Sequence, residues 1–213
     1  MMSTKFLYVS ANPKGENESY SLKVGRAFIE QYKILNPDHE VTELDLFKTD
    51  VPVLNAVVFD GFSKLQNGGS FSDLDQEQKQ QLGKLNQLLE QFMEADSYAF
   101  VNPMWNFSVP PVLKAYIDVI LQVGKTFHYT ENGPEGLMKG KKAIHIQASG
   151  GIYSKGAAVE MDFSHRYLKT VLGFTGISEL EFVPVEGIAM GQTKVSEIVK
   201  LASEKAIGLA SEF

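Results

Sequence analysis

The chain has 213 residues, of which 44% are hydrophobic, 22% charged and 11% aromatic, a composition that is typical of a globular domain and excludes a disordered or fibrous chain. It contains no cysteine, which excludes disulfides, thiolate metal sites and a cysteine nucleophile. Its formal net charge of -6 disfavours nucleic acids and anionic membranes as partners.

Short β-rich segments alternate with longer segments whose apolar residues recur every three or four positions, which predicts alternating strands and helices. We expect strands at residues 5–10, 40–46, 97–101, 142–148 and 177–184. We expect helices at residues 21–35, 72–93, 111–121, 159–172 and 194–210. The strict alternation predicts one α/β domain over residues 1–213, a doubly wound five-stranded parallel sheet with helices on both faces.

Two long connections, Val51–Phe71 and Lys125–Lys141, carry turn residues and no predicted element. Ordered loops of this length are often functional, and we expect both to close over one end of the sheet. The apolar run after Met1 is too short for a signal-peptide core, and nowhere do enough apolar residues follow one another to cross a bilayer. We therefore expect a cytoplasmic protein.

The loop after the first strand, Ser10–Ser21, is the first of three candidate ligand loops, because doubly wound sheets bind ligands where their strands end. It lacks the glycine pattern of a dinucleotide site. Its hydroxyls at Ser10, Ser19 and Ser21 surround a predicted helix start, where free amides and the helix dipole favour a phosphate. The alternative is that these serines only cap the helix.

The loop after the third strand, Asn102–Pro110, places Met104, Trp105 and Phe107 where solvent is expected. A flat heteroaromatic ligand could cover them, or they could pack beneath neighbouring loops. After the fourth strand, Ala148–Gly151 ends in paired glycines, which allow a ligand edge to approach the backbone or simply form a turn.

Other kinds of site find little support. Gly124-Lys125-Thr126 follows a helix and lacks the earlier glycine of a nucleoside-triphosphate loop, and no G-x-S-x-G nucleophile motif is present. The four histidines lack metal-ligand spacing, so we expect surface or hydrogen-bonded core roles for them. They are His39, His128, His145 and His165.

Together with Phe127–Leu137, the three loops resemble the flavodoxin-like, FMN-dependent NADH azoreductases, also described as NADH:quinone oxidoreductases. The resemblance spans nearly the whole chain and is most specific at Pro103–Phe107 and Tyr129–Gly136. It implies non-covalent FMN whose phosphate and ribityl chain contact Ser10, Ser19, Tyr20 and Ser21. It implies a flavin ring on Met104, Trp105, Asn106 and Phe107, with Ala148, Ser149, Gly150 and Gly151 along its pyrimidine end.

The resemblance also implies a homodimer with a shared substrate pocket, to which Tyr129, Tyr153 and Phe174 would contribute. Two features depart from the family pattern. The first loop is a few residues longer than usual, which leaves open which hydroxyl meets the phosphate. Ala148-Ser149 replaces a frequent Ser-Arg pair, which changes the charge over the flavin.

The implied activity is a ping-pong transfer of two electrons from NADH through FMN to quinones and azo compounds, with reductive cleavage of aromatic azo bonds. The cofactor carries this chemistry, so no acid or base from the protein is required. One alternative is a flavodoxin-type electron carrier that turns over no small molecule, against which the aromatic insertion 125–141 argues. Another is a flavin-free nucleotide- or phosphate-binding protein.

Overall fold

The fold is known from a computed structural model that describes residues 3–191 and 193–213. Its strands are β1 (Lys5–Ser10), β2 (Glu40–Asp45), β3 (Ser97–Pro103), β4 (Phe127–Thr130), β5 (Gly133–Gly136), β6 (Lys142–Ala148) and β7 (Glu179–Val185). Its α-helices are α1 (Tyr20–Leu35), α2 (Ala56–Gln66), α3 (Gln76–Glu94), α4 (Pro111–Ile120), α5 (His165–Thr175) and α6 (Val195–Leu209). Short 3₁₀ turns lie at Phe71–Asp73, Gly156–Met161 and Ala210–Glu212.

A parallel sheet organises the fold, and within the described residues it has five strands in the order β2-β1-β3-β6-β7. This order confirms the predicted flavodoxin-like, doubly wound architecture. Successive side chains of β1 point to opposite faces, so that Leu7 packs with α3, α4 and α5 while Phe6 packs with α1 and α6. Helices therefore cover both faces of the sheet.

The segment Val51–Phe71, expected to be a loop, contains α2. The Asn55 side chain accepts the Val58 N–H at 3.0 Å and starts this helix. The helix predicted at 159–172 was placed too early, because the Asp162 carboxylate accepts the N–H groups of Ser164 and His165 and starts α5 there. The chain before Asp162 forms a 3₁₀ turn instead.

The segment Lys125–Lys141 forms an antiparallel hairpin of β4 and β5, which we call the β4–β5 hairpin. It joins the end of α4 to the start of β6, so it lies at the amino end of the parallel sheet. The expectation that both long connections close over one end of the sheet is therefore wrong. Thr126 anchors the hairpin by donating its hydroxyl to the Ile120 carbonyl at 2.7 Å.

Candidate functional site

The carboxyl ends of β1, β3 and β6 lie side by side, because these strands are neighbours in the sheet. The chain leaves β1 toward β2 on one side and leaves β3 toward β6 on the other, so the sheet has its switch point between β1 and β3. Backbone bonds continue past the strand ends, from Ala11 N–H to Val101 C=O at 2.9 Å and from Met104 N–H to Ala148 C=O at 2.7 Å. The three candidate loops therefore form one continuous edge.

A hydrogen-bond network centred on Ser19 closes the first loop. The Ser19 hydroxyl oxygen accepts from the Asn12 side-chain amide at 2.8 Å and from the Leu22 N–H at 3.2 Å, which caps α1. Its oxygen lies 3.2 Å from that of Ser21, and both side chains are buried. Because Ser19 already accepts twice, its own proton is left to donate to Ser21 or to an anion.

The start of α1 fits a phosphate. An α-helix leaves its first N–H groups without partners inside the helix. The Leu22 N–H donates to Ser19, so the N–H groups of Tyr20 and Ser21 are the ones that can meet an anion, with the positive end of the helix dipole behind them. Ser10 is half-buried at the end of β1. Ser19 therefore caps the helix, as the alternative held, and its proton still remains available to an anion.

The second loop makes a tight two-residue turn. Trp105 and Ser108 exchange backbone hydrogen bonds of 2.9 and 3.0 Å, and between them Asn106 and Phe107 have φ angles of 48° and 69°. Left-handed backbone at a residue as bulky as Phe107 is strained, and such strain is concentrated at functional sites. The Trp105 and Phe107 side chains remain 39% and 41% exposed, an apolar surface available for a flat ligand.

The third loop is tied to the chain after β7. The Ser149 N–H donates to the Val185 C=O at 3.0 Å, and the Gly187 N–H donates to the Gly151 C=O at 2.9 Å. The Ser149 side chain is buried, whereas Gly150 is exposed at the edge. A Cβ on Gly151 would come within 3.1 Å of the Tyr153 ring, so the glycine gives this ring its place.

Tyr153 also links the second and third loops, because its ring lies edge-on to Phe107 with the centroids 6.2 Å apart. The other two residues expected in the substrate pocket lie elsewhere. Tyr129 and Phe174 both pack on Phe127, at centroid distances of 5.7 and 4.6 Å, beside the β4–β5 hairpin and the end of α5. Phe174 lies near the end of α5, a helix of 11 residues or about 16 Å that begins beside the site and runs away from it.

A buried polar layer lies beneath the edge. The Asn102 amide donates to the Pro103 C=O, which turns its oxygen toward His145 Nε2 at 3.0 Å and makes that nitrogen a donor. His145 Nδ1 then accepts from His165 Nδ1 at 3.0 Å. Burial lowers the pKa of His145 well below its usual value and that of His165 to about 4, so both rings are neutral near pH 7. We call these two residues the histidine pair.

Sequence reasoning found the three loops but missed Asn12, which closes the first loop, and Asn102, which supports the second. The Asn12-Pro13 dipeptide was a usable turn signal, since the Asn12 side chain accepts the Lys14 N–H at 3.0 Å. No signal marked Asn102, whose partners are distant in sequence. Among the described residues, no group of three or more His, Asp or Glu could hold a metal ion. None of the helices in residues 3–191 and 193–213 is long and apolar enough to span a membrane.

Fold and site together define a flavodoxin-like protein, and residues 4–208 match the family model described as flavodoxin-like fold. The FMN-dependent NADH:quinone oxidoreductase of Geobacillus kaustophilus is 52% identical over 99% of this chain and 100% of its own. An azoreductase structure from Bacillus anthracis is 37% identical, with a TM-score of 0.91 and coverage of 99% and 100% of the two chains. An FMN-dependent NADH-azoreductase structure from Bacillus anthracis, in complex with FMN, is 33% identical, with a TM-score of 0.92 and coverage of 98% of each chain. The chain belongs to the family of FMN-dependent NADH:quinone oxidoreductases and azoreductases.

Proposed function

We propose that this enzyme moves two electrons from NADH through non-covalently bound FMN to quinones and azo compounds, as the names of its relatives describe for them. When bound, FMN would supply the hydride and electron-transfer chemistry, and the residues of the three loops would hold it. One observation carries the proposal. A helix start with free donors and a strained aromatic turn lie on one sheet edge, and together they suit a ligand with a phosphate at one end and a flat ring at the other.

The chain's own residues bind and orient the cofactor. Ser19, Ser21 and the first amides of α1 hold the phosphate, with Ser10 and Tyr20 beside the ribityl chain. Met104, Trp105, Asn106 and Phe107 form a platform for the ring. Ala148, Ser149, Gly150 and Gly151 would present backbone without bulky side chains to the ring's polar edge, where a backbone N–H group would stabilise negative charge on reduction. This site belongs to a single domain that spans residues 1–213, in a cytoplasmic enzyme.

A second copy of the chain completes the pocket. A groove of about 600 Å³ runs between α4 and α5, and the residues facing it from α5 share one helix face. They are Arg166, Tyr167 and Thr170. Phe163 continues this face toward Phe107, whose C=O accepts the Phe163 N–H at 3.0 Å, and Phe174 continues it toward the β4–β5 hairpin. We call this face the α5 stripe.

Two-fold packing of antiparallel α5 stripes would bring the hairpin end of each copy to the site of the other. Tyr129 and Phe174 could then reach the acceptor from the second copy, although they lie far from the site of their own chain. Phe163 is 57% exposed in one chain, and a second copy would cover it. The proposal is therefore a homodimer with two shared substrate pockets, each also lined by Tyr153.

Stopped-flow measurement of the two half-reactions tests the function. FMN-loaded protein should be bleached by NADH and recoloured by a quinone or an azo dye, and steady-state kinetics should show the ping-pong pattern. Protein that binds FMN but turns over no NADH with a quinone would instead be a flavodoxin-type carrier. Protein that stays colourless with FMN would be a flavin-free binding protein.

Phe174→Ala tests the shared pocket. It should raise KM for a bulky quinone while leaving the rate of flavin reduction by NADH nearly unchanged, because a residue that stacks on the acceptor affects only the second half-reaction. Equal losses in both half-reactions would place Phe174 in the support of the flavin instead. Full activity from a monomer at micromolar concentration would contradict the shared pocket.

A further inference from the structure

Glu186, the residue after β7, connects two loops of the site. Its carboxylate accepts the Tyr153 N–H at 2.8 Å and the Ser154 N–H at 3.0 Å, and it also accepts the Ser154 hydroxyl. These bonds join residues that are 33 and 32 positions apart in the sequence. Nothing in the sequence pattern singled out Glu186.

The position of the Glu186 carboxylate is not explained by an ion pair. Within residues 3–191 and 193–213, no lysine, arginine or histidine forms an ion pair with Glu186, although other acidic residues of the chain do so with their neighbours. Among the described residues, its hydrogen-bond donors are two backbone amides and one hydroxyl. Bonds from N–H groups to a carboxylate are stronger than neutral ones, so Glu186 holds this short stretch of loop firmly.

The stretch that Glu186 holds includes the backbone of Tyr153. The backbone N–H of Tyr153 is fixed by the carboxylate, and its ring is confined between Gly151 on one side and Phe107 on the other. Ile188 and Ala189 tie the chain beyond Glu186 back to Ser149 and Gly150 by backbone bonds of 3.4 and 3.0 Å. The carboxylate itself is therefore well supported.

We propose that Glu186 is a positioning residue, which sets the Tyr153 ring beside the flavin platform and thereby sets the affinity for aromatic acceptors. This proposal rests on the proposed function of Tyr153 in the substrate pocket. The carboxylate acts as a hydrogen-bond acceptor for the loop and takes no part in electron or proton transfer. Loss of those bonds would let the loop move and would weaken acceptor binding without slowing flavin reduction by NADH.

Amide hydrogen exchange tests the hydrogen-bonding part without any activity measurement. In Glu186→Ala, the amides of Tyr153 and Ser154 should lose protection while those of the parallel sheet keep theirs. Glu186→Gln should restore the protection, because its amide oxygen still accepts N–H groups and its NH₂ can donate to the Ser154 hydroxyl. Glu181→Ala, which changes an exposed glutamate on β7, is the matched control and should not alter the protection of the Tyr153 and Ser154 amides.

Half-reaction kinetics test the consequence. Glu186→Ala removes all three hydrogen bonds that hold the loop and should raise KM for a quinone by roughly tenfold. The effect should largely disappear when Tyr153→Ala is already present, because the two residues act through one another. Glu186→Asp keeps the charge but shortens the side chain by one methylene, so it should resemble Glu186→Ala. It replaces Glu186→Ala in these measurements if that variant folds poorly.

Each outcome decides a different claim. Unchanged protection at 153 and 154, or a Glu186→Gln variant as impaired as Glu186→Ala, overturns the positioning role. Lost protection with an unchanged quinone KM in Glu186→Ala overturns it as well, provided that Tyr153→Ala raises that KM. If Tyr153→Ala leaves the KM unchanged, the proposed function of Tyr153 fails, while the exchange result still decides whether Glu186 holds the loop.

Discussion

Replacing Ser19 and Ser21 separately should distinguish their roles in folding from their roles in cofactor binding. Ser19→Ala removes the cap on the Leu22 N–H, which costs about 1 kcal/mol. It also leaves the buried Asn12 amide without its 2.8 Å acceptor, which costs about 1–3 kcal/mol more. We expect a loss of about 2–4 kcal/mol, which lowers Tm by about 4–16 °C for a chain of this size.

Ser21→Ala should behave differently. Its recorded hydroxyl contact is with Ser19 at 3.2 Å, so removing it should lower the stability of the apoprotein by less than about 1 kcal/mol. Both variants should raise the Kd for FMN about tenfold or more, because a hydrogen bond to a charged phosphate contributes about 1.5–3 kcal/mol.

The assay pairs thermal unfolding of the apoprotein with fluorescence titration of FMN. Asp75→Ala is the matched control, since Asp75 caps α3 by accepting the Gln78 N–H at 2.9 Å and lies outside the candidate site. This control should lower Tm and leave the Kd for FMN unchanged. A Ser21→Ala variant that binds FMN like the native chain would refute the phosphate role of Ser21. If both variants lower Tm and leave the Kd for FMN unchanged, the serines serve only the hydrogen-bond network and the cap at Ser19.

Three further predictions concern stability and assembly. The free energy of unfolding should fall as pH drops from about 6.5 toward 4, because the unfolded chain binds a proton at His165 that the folded chain excludes. After allowance for the partial exposure of His165, this residue should contribute about 1–2 kcal/mol to the fall. In urea denaturation at several pH values, His165→Gln should reduce the change in the free energy of unfolding with pH. If this pH dependence is unchanged, other groups cause it. Gly136→Ala should lower the free energy of unfolding by about 2 kcal/mol or more, because its Cβ would clash with the backbone of Thr175 and Gly176. Gly83→Ala, with open space around it inside α3, should instead raise the free energy of unfolding by about 0.5–1 kcal/mol. Equal Tm values for the two variants would contradict this. Thr170→Arg places a bulky charge in the α5 stripe and should yield a folded monomer by sedimentation with weakened quinone turnover, and an intact dimer would move the interface elsewhere.

Periodicity predicted most of the fold because the buried strands and amphipathic helices carry their own patterns. It missed α2, whose apolar residues Val58 and Leu65 lie between stretches rich in turn residues, and it missed the β4–β5 hairpin, whose strands are short. It placed the start of α5 too early because the cap at Asp162 lies in a segment that also has helical spacing. The Asp162 carboxylate caps the N–H groups of residues only two and three positions later, so this start carried a local signal that the spacing of apolar residues obscured.

The candidate site was predictable to the level of loops. Hydroxyls, exposed aromatics and paired glycines after three strands are local signals, and the switch point brings them together. Asn102, the histidine pair and Glu186 act through partners distant in sequence, so only the folded arrangement reveals them. The separation of Tyr129 and Phe174 from Tyr153 follows from topology, because the chain before β6 and the end of α5 both lie at the amino end of the sheet.

A crystal structure of the protein grown with FMN tests most directly the claim that one sheet edge binds the cofactor. We expect one flavin per chain, with its phosphate within hydrogen-bonding distance of Ser19 or Ser21 at the start of α1 and its ring on the turn at Asn106 and Phe107. Flavin bound instead in the groove between α4 and α5, or at the amino end of the sheet beside the β4–β5 hairpin, would contradict the assignment.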